Sequence, residues 1–162
     1  MLKQNLFLSF LLFFSITAWT LESDRKAPIK VDGPTCISKI KENKTICDQG
    51  VTITQGSLLI RSAYATIYHK DSQIERIEMT GTPVYFEQQV KDESDKMVIK
   101  SKYMDYRMQD DKVFLKGDVS VTSTMGLTQA QEMEIDLETQ EILAGGTEEG
   151  QQFHMTIDPN KK

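Results

Sequence analysis

The sequence predicts an all-β fold, and three observations support that prediction. Residues 51–54, 104–108 and 119–122 alternate apolar with polar side chains, the period of a strand that buries one face. Polar turns separate such segments, for example at residues 69–72 and 109–112. Behind the N-terminus, no apolar pattern at three- and four-residue spacing persists, as an amphipathic helix would require. Short strands with turns between them indicate a sandwich or a barrel.

Residues 1–20 are predicted to be a secretory signal peptide. Lys3 supplies the positive start, residues 6–16 are an apolar stretch, and the small residue Ala18 follows. That stretch is shorter than the roughly 20 residues of a transmembrane helix. We therefore expect cleavage between Ala18 and Thr20 and export from the cytoplasm.

The alternative is an uncleaved membrane anchor, because Trp19 and Leu21 extend the apolar run and no Ala-x-Ala site is present. Behind the leader we expect one domain at residues 28–157, followed by a polar tail at residues 158–162. The formal net charge of the chain is −5. A mildly acidic domain has no basic stripe, so nucleic acid is not an expected partner.

The two cysteines predict a disulfide across a hairpin. Residues 41–44 form a polar turn; if Ile40 faces Asn43, then Cys36 falls opposite Cys47. Directly opposed Cβ atoms lie near the separation that a disulfide needs, and the bridge contributes about 3 kcal/mol on loop-closure arguments. A metal or redox pair is the alternative, but the C-x-x-C spacing and a nearby His are missing.

A degenerate strand-pair unit is repeated along the chain. Residues 60–64 (Ile-Arg-Ser-Ala-Tyr) resemble residues 99–103 (Ile-Lys-Ser-Lys-Tyr), and Gly81 and Gly117 follow downstream in corresponding places. Four copies can be overlaid. A short β unit that cannot bury its own apolar face becomes stable by stacking on its neighbours. Chance similarity among strands is the alternative, because all strands favour the same residues.

The apolar row of each strand forms either a tight core or, if the rows splay apart, a trough for a ligand. Phe86, Met104 and Tyr106 are the strongest candidates for contact with a ligand in such a trough, since flexible Met adapts to ligands of variable shape. The full set of predicted groove residues is Ile29, Val31, Val51, Ile53, Leu58, Ile60, Val84, Phe86, Met104, Tyr106, Leu115, Val119 and Val121.

The two ends of the strand array are predicted docking edges. Unpaired backbone groups of terminal strands either need protection or accept a partner strand. If the ends are complementary, the contact does not close and gives open filaments. The alternative is an edge guarded by charges such as Lys30, Asp32 and Glu141. The predicted docking residues are Ile29, Lys30 and Val31 at one end and Ile142 and Leu143 at the other.

No catalytic, metal-binding or cofactor-binding residues are predicted. His69 and His154 occur singly, and neither a G-x-S-x-G string nor a metal-binding pair is present. The acidic pairs at residues 110–111 and 148–149 lie in polar turns, where solvation explains them. We therefore expect a protein that is not an enzyme.

Four segments carry a family resemblance. Residues 28–31, 50–62, 81–88 and 113–119 resemble the periplasmic lipopolysaccharide-transport protein A family, the OstA-like domain. The most specific piece is the Ile-Thr-Gln-Gly-x-Leu-x-Ile-Arg string within residues 50–62. The departures from the family pattern are the Cys36 to Cys47 hairpin and the segment after Gly146.

The resemblance implies a β-jellyroll of antiparallel strands in two facing, twisted sheets, open-ended and slightly open along one side. It also implies a periplasmic bridge that holds lipopolysaccharide acyl chains inside. Component C of the export system would dock at the N-terminal edge and component D at the C-terminal edge, with head-to-tail self-oligomers between them. The alternatives are a membrane-anchored component C-like subunit and a carbohydrate-binding β-sandwich, although Trp19, the only tryptophan, lies in the leader.

Overall fold

The computed structural model of the chain describes residues 24–90, 95–145 and 152–157. The predicted leader, the polar tail and Gly146 lie outside the described residues. Within those ranges no helix combines the length and the apolar character needed to cross a membrane. The boundaries expected for leader, domain and tail therefore stay predictions.

Strands dominate the described residues, as the alternating pattern predicts. A helical turn at residues 24–26 precedes the first strand, and a 3-10 turn at Ile40–Glu42 lies between the second and third. The strands are β1 (Lys30–Asp32), β2 (Thr35–Lys39), β3 (Lys44–Asp48), β4 (Val51–Gln55), β5 (Leu58–Ser62), β6 (Tyr64–Lys70), β7 (Gln73–Gln89), β8 (Lys96–Arg107), β9 (Lys112–Ser123), β10 (Gly126–Asp136), β11 (Glu141–Gly145) and β12 (His154–Thr156).

These strands form one antiparallel sheet that bends along a line across its middle. Its main path runs β1-β4-β5-β7-β8-β9-β10-β11; β2, β3 and β6 continue from β7, and β12 pairs with β10. The register shifts between residues 80 and 84 of β7, 100 and 103 of β8, and 130 and 132 of β10. Such irregularities bend a strand and increase its twist. Aligned across neighbouring strands, they divide the sheet into two halves.

We call the halves leaf 1 and leaf 2. Leaf 1 comprises β1, β4, β5, the second half of β7, the first half of β8, the second half of β9, the first half of β10, and β12. Leaf 2 comprises β2, β3, β6 and β11 with the other halves of β7 to β10. Each long strand therefore belongs to both leaves.

The two leaves face each other across one apolar core. The Phe86 ring of leaf 1 meets the Tyr106 ring of leaf 2 edge-on, with 6.2 Å between the ring centroids. Buried side chains from both leaves belong to a single cluster. This arrangement confirms the predicted antiparallel β-jellyroll of two facing sheets, which is not closed into a barrel.

The bend is built into the backbone of β9. Gly117 has φ +77°, a left-handed conformation that favours glycine. A Cβ atom at this position would lie 3.0 Å from the Lys102 side chain on the neighbouring strand. The glycine that the repeat placed between two apolar segments is thus the residue that lets β9 pass from one leaf to the other.

The cysteine hairpin has the predicted register. Cys36 pairs with Cys47 across β2 and β3, and the two form a disulfide. Asn43 adopts φ 49° and donates its backbone N–H to the Ile40 carbonyl at 3.2 Å, which closes the turn. The hairpin extends leaf 2 at its outer edge, beyond β6.

Candidate functional site

The interior between the leaves brings the predicted groove residues together. Eleven of the thirteen are buried, from Val84 and Phe86 at 0% exposed to Tyr106 at 5%. The other two, Ile29 and Val31, are partly buried and pack against the same core. The residues thus share one apolar interior, and their contact with a ligand stays a prediction.

The interior contains more residues than the sequence reasoning selected. The strands from β6 to β10 contribute further buried side chains with the same alternation as the chosen rows, and this alternation is the signal that could have identified them. The additional buried residues include Ile67, Ile77, Met79, Met97, Ile99, Val113, Met133 and Ile135.

Side chains that pair across the strands form continuous rows, which are buried in the middle and exposed at one end of each row, at Met155 in leaf 1 and at Cys36 in leaf 2. In leaf 1 the paired residues are Val31, Ile53, Ile60, Phe86, Ile99, Val121, Thr128 and Met155. In leaf 2 they are Cys36, Cys47, Ala65, Met79, Met104, Leu115, Met133 and Ala144. Each row joins the strands at one end of the jellyroll to those at the other.

The side opposite the bend is a seam, where hairpin turns of leaf 1 approach those of leaf 2. A cavity of about 610 Å³ opens into this seam near the N-terminal end. Leaf 1 and the segment before it contribute Ala27, Ile29 and Gln55, whereas leaf 2 contributes residues that include Ile74 and Tyr106. The cavity therefore connects solvent with the apolar interior.

A short N-terminal segment, residues 24–27, crosses this part of the seam; we call it the strap. The Gln55 side-chain amide donates hydrogen bonds to the carbonyls of Arg25 (3.0 Å) and Ala27 (3.2 Å). The Ser57 hydroxyl donates to the Asp24 carboxylate. On the opposite side, the Arg25 guanidinium lies 2.7 Å from the Asp111 carboxylate of the β8–β9 turn. The strap thus links leaf 1 to leaf 2 across the seam, on the side opposite the bend.

The strap's ion pair lies in a partly desolvated position. Burial raises the pKa of the Asp111 carboxyl, and the positive charge of Arg25 opposes that increase. Burial also raises the pKa of the Tyr106 phenol, which is increased further by the negative charge of Asp111. Arg25 therefore stabilises a carboxylate that its surroundings would otherwise favour in the neutral form.

Farther along, the seam is closed. Gln88, Val90 and Met97 of leaf 1 meet Leu137 and Gln140 of the β10–β11 turn, around a cavity of only about 10 Å³. Leu137 is buried and completes the core. Of these two parts of the seam, the open one thus lies at the N-terminal end, beside the strap.

Among the described residues, both ends of the jellyroll have strands with one unpaired edge. β1, which holds the predicted docking residues Lys30 and Val31, is the terminal strand of leaf 1, and β11, which holds Ile142 and Leu143, is the terminal strand of leaf 2. Ile29 precedes β1 and packs against the core. A docking role for these residues stays a prediction.

The sequence reasoning missed the second edge strand at each end. β2 is the other terminal strand at the N-terminal end, and β12 pairs with β10 at the C-terminal end. The N-terminal hairpin exposes the apolar residues Ile37 and Ile40. At the other end, the exposed apolar residues are Leu143 in β11, Met155 in β12, and Phe153 and Ile157 on either side of β12.

The outer face of leaf 2 carries a charged network. Arg76 Nε lies 2.6 Å from Asp105, and the Arg76 guanidinium also reaches Glu78 at 2.5 Å. The phenols of Tyr68 and Tyr103 donate to the same Glu78 carboxylate at 2.6 and 3.1 Å. Hydrogen bonding to Asp105 raises the pKa of Arg76. The network joins side chains of β6, β7 and β8 and so braces three strands from outside.

The histidines lie in separate places. His69 Nε2 is 3.0 Å from the Thr45 hydroxyl oxygen in leaf 2, whereas His154 is exposed on β12. Among residues 24–90, 95–145 and 152–157, no group of three His, Cys, Asp or Glu side chains is placed to hold a metal ion. The acidic pair at residues 148–149 lies outside the described residues. The absence of catalysis stays an expectation.

The architecture defines the class of the domain: an open antiparallel β-jellyroll with an apolar interior and free strands at both ends. A family model described as LptA/(LptD N-terminal domain) LPS transport protein matches residues 30–141. The chain belongs to this family.

Individual relatives agree with that assignment. The lipopolysaccharide export system protein LptH of Pseudomonas aeruginosa is 25% identical over 155 residues, which cover 91% of the chain and 89% of the relative. A crystal structure of LptH, described as the LptA-homologous periplasmic component of the conserved lipopolysaccharide transport device, has a TM-score of 0.78 and 22% identity to the chain. The match covers 85% of the chain and 99% of that structure, and it shows a shared fold.

Proposed function

We propose that this protein is a periplasmic bridge that carries lipopolysaccharide between the two membranes, with the acyl chains held between leaf 1 and leaf 2. The sugar and phosphate groups stay outside, in solvent. The protein performs no chemistry on its cargo and needs no cofactor.

The observation that carries the proposal is the continuity of the inward rows. The leaf 1 row passes through eight strands, from Val31 to Met155, without a charged side chain. At about 4.8 Å per strand, such a row spans about 35 Å. An apolar path of that length along the axis of the jellyroll suits alkyl chains that move from one end to the other.

Loading requires the leaves to separate, because Phe86, Met104 and their neighbours are packed against one another and fully buried. Opening the protein at the seam breaks the fewest backbone hydrogen bonds, because the strands that connect the two leaves do so along the bend, on the opposite side. The cavity beside Ile29 and Tyr106 is the entry point. Release of the Arg25–Asp111 ion pair accompanies entry.

The two ends supply the docking surfaces. Component C of the export system adds its strands at β1 and β2, and component D adds its strands at β11 and β12. The exposed Ile37 and Leu143, at 59% and 72%, are apolar contacts available to such partners. Because the two ends differ, copies of the chain also join head to tail into open filaments.

The leader separates this role from that of a membrane-anchored component C-like subunit. A bridge protein is released into the periplasm, whereas an anchored subunit keeps residues 1–20. Intact-mass measurement of the protein isolated from cells distinguishes the two: a mature N-terminus before Trp19 would contradict the bridge role.

The direct test is equilibrium binding of purified protein to lipopolysaccharide and to the same lipopolysaccharide after chemical removal of its acyl chains. We expect binding of the first and not of the second. Phe86→Asp, checked for folding by circular dichroism, serves as the control for the interior, because a buried charge excludes lipid. Equal binding of the deacylated glycan would instead support a carbohydrate-binding β-sandwich.

A further inference from the structure

Two buried hydroxyl groups in leaf 1 have no hydrogen-bond partner within the part of the chain that the structure describes. Ser62 is 8% exposed and Ser101 is 1% exposed, and neither Oγ atom is hydrogen-bonded. Buried polar groups in folded proteins are almost always paired, and an unpaired one costs free energy. Two such groups on one face therefore require an explanation.

Both serines occupy the same position of the repeated Ile-basic-Ser-x-Tyr segment. Ser62 lies on the inward face of β5 with Leu58 and Ile60, and Ser101 lies on the inward face of β8 with Ile99. The repeat thus places an unpaired hydroxyl in the interior twice.

The two hydroxyls lie in one row beside the bend. Ser62 pairs with Val51, Ser101 pairs with Val84, and continuation of the β5–β7 register by one residue places Val84 between the serines. Two strand spacings separate them, which corresponds to about 10 Å along the axis of the jellyroll. The row continues through Val119 to Ala130, so its other members are small and apolar.

We propose that Ser62 and Ser101 are hydrogen-bonding positions for the oxygen atoms of acyl chains in the interior, in particular the hydroxyl of a 3-hydroxyacyl chain. This inference rests on the proposed function. A hydroxyl can donate to or accept from a ligand hydroxyl, whereas the valines around it cannot. An acyl chain that carries an oxygen would otherwise leave that oxygen unpaired inside the protein.

The row is closely packed, so an acyl chain reaches the serines only when the leaves separate, and the small neighbours Val84 and Val119 then let it lie close to both hydroxyls. A chain that moves from β5 towards β8 passes from the first hydroxyl to the second. The serines therefore favour oxygen-bearing acyl chains over plain ones and give them two successive resting positions.

The test compares two neutral probes, methyl tetradecanoate and methyl 3-hydroxytetradecanoate, which differ by one hydroxyl. Their affinities are measured by displacement of a fluorescent polyene fatty acid from protein purified after expression of the full chain. The variants are S62A, S101A and the double variant. Ser120→Ala is the matched control, because Ser120 lies on the outward face of leaf 1.

We expect the double variant to lower the affinity ratio of hydroxylated to plain ester by about fivefold, the value of one hydrogen bond. Ser120→Ala leaves the ratio unchanged. If the double variant does not fold, the single variants decide, each with a smaller decrease. A purely structural role for the serines predicts changes in thermal stability and none in the ratio.

Two outcomes overturn the inference in different ways. If both esters bind the folded variants with the wild-type ratio, the serines do not recognise oxygen, whereas the proposed lipid-carrying function stands. If neither ester nor lipopolysaccharide binds the wild-type protein, the proposed function fails and this inference fails with it.

Discussion

The two leaves present different inner surfaces to the space between them. Leaf 1 contributes Phe86 and many β-branched residues, together with five buried polar side chains: Gln55, Ser62, Gln88, Ser101 and Thr128. Leaf 2 also contains β-branched residues such as Ile77, but it contributes three buried methionines, Met79, Met104 and Met133, against Met97 alone among the described residues of leaf 1. Its buried polar group Asp105 belongs to the outer network. β-Branched and aromatic side chains have few conformations, whereas Met adapts to irregular shapes. Leaf 1 is therefore the selective wall and leaf 2 the adaptable one.

The largest effect on the free energy of unfolding is expected from a substitution at the centre of leaf 1. Phe86→Ala removes a fully buried ring that contacts Tyr106 across the interior, so we expect a loss of about 4 kcal/mol in the free energy of unfolding. Chemical denaturation measures this loss. Tyr85→Ala, at the adjacent outward position, should cost about 1 kcal/mol or less. Equal losses at both positions would show that Phe86 is not central to the packing between the leaves.

The second largest effect on stability is expected from the disulfide at the edge of leaf 2. Opening the Cys36–Cys47 disulfide should lower the free energy of unfolding by about 3 kcal/mol, since the bridge restricts the unfolded chain. Thermal unfolding with and without reductant measures the effect. Hydrogen exchange should increase in β2 and β3 and stay unchanged in β4 and β5. An identical melting temperature after verified reduction contradicts the prediction.

A smaller effect is expected where the strap joins the leaves. Arg25→Gln should destabilise the protein by about 1 kcal/mol near neutral pH, because Arg25 is 42% exposed and solvent screens its ion pair with Asp111. The substitution also removes the charge that now lowers the pKa of Asp111, so the pKa of this buried carboxyl rises further.

A carboxyl whose pKa is higher in the folded than in the unfolded protein costs stability once the pH exceeds its unfolded value of about 4. The stability gap between Arg25→Gln and wild type should therefore shrink as the pH falls from about 7 to about 4.5. Melting temperatures at the two pH values measure the gap, with Lys70→Gln as an exposed control. A gap that widens in acid would contradict the assigned role of Arg25.

The smallest effect on stability is expected in the adaptable wall. Replacement of Met79, Met104 and Met133 by leucine conserves volume and should cost about 1.5 kcal/mol or less per site. If leaf 2 adapts to its ligand, the triple variant should bind a narrower range of fatty acyl chain lengths than wild type. An unchanged range would remove the functional distinction between the leaves.

Local patterns in the sequence predicted much of the fold. Alternation located the strands, and the symmetry of the residue 41–44 turn set the Cys36–Cys47 register, because both depend on neighbours along the chain. The bend was not predicted, since β7 continues through residues 80–84 and changes leaf without ending. β12 was missed because a strand of three residues carries too little pattern to be recognised.

The site was predicted less completely than the fold. Period-two alternation identified apolar inward residues but does not distinguish a core from a groove, since both need the same side chains. The Arg25–Asp111 ion pair joins residues that are distant in sequence, and charge alone does not indicate which pairs meet. The repeated serines were visible in the sequence, yet their lack of partners became evident only from their burial.

Photo-crosslinking in cells tests the central claim, that acyl chains lie between the leaves, most directly. A photoreactive residue is introduced at one of two interior positions, Phe86 or Ile29. In the controls it is introduced at the outward Tyr85 or at the exposed Lys70. Illumination during active export should capture lipopolysaccharide at the two interior positions and not at the controls. Capture at Tyr85 or Lys70 without capture at Phe86 would contradict the account.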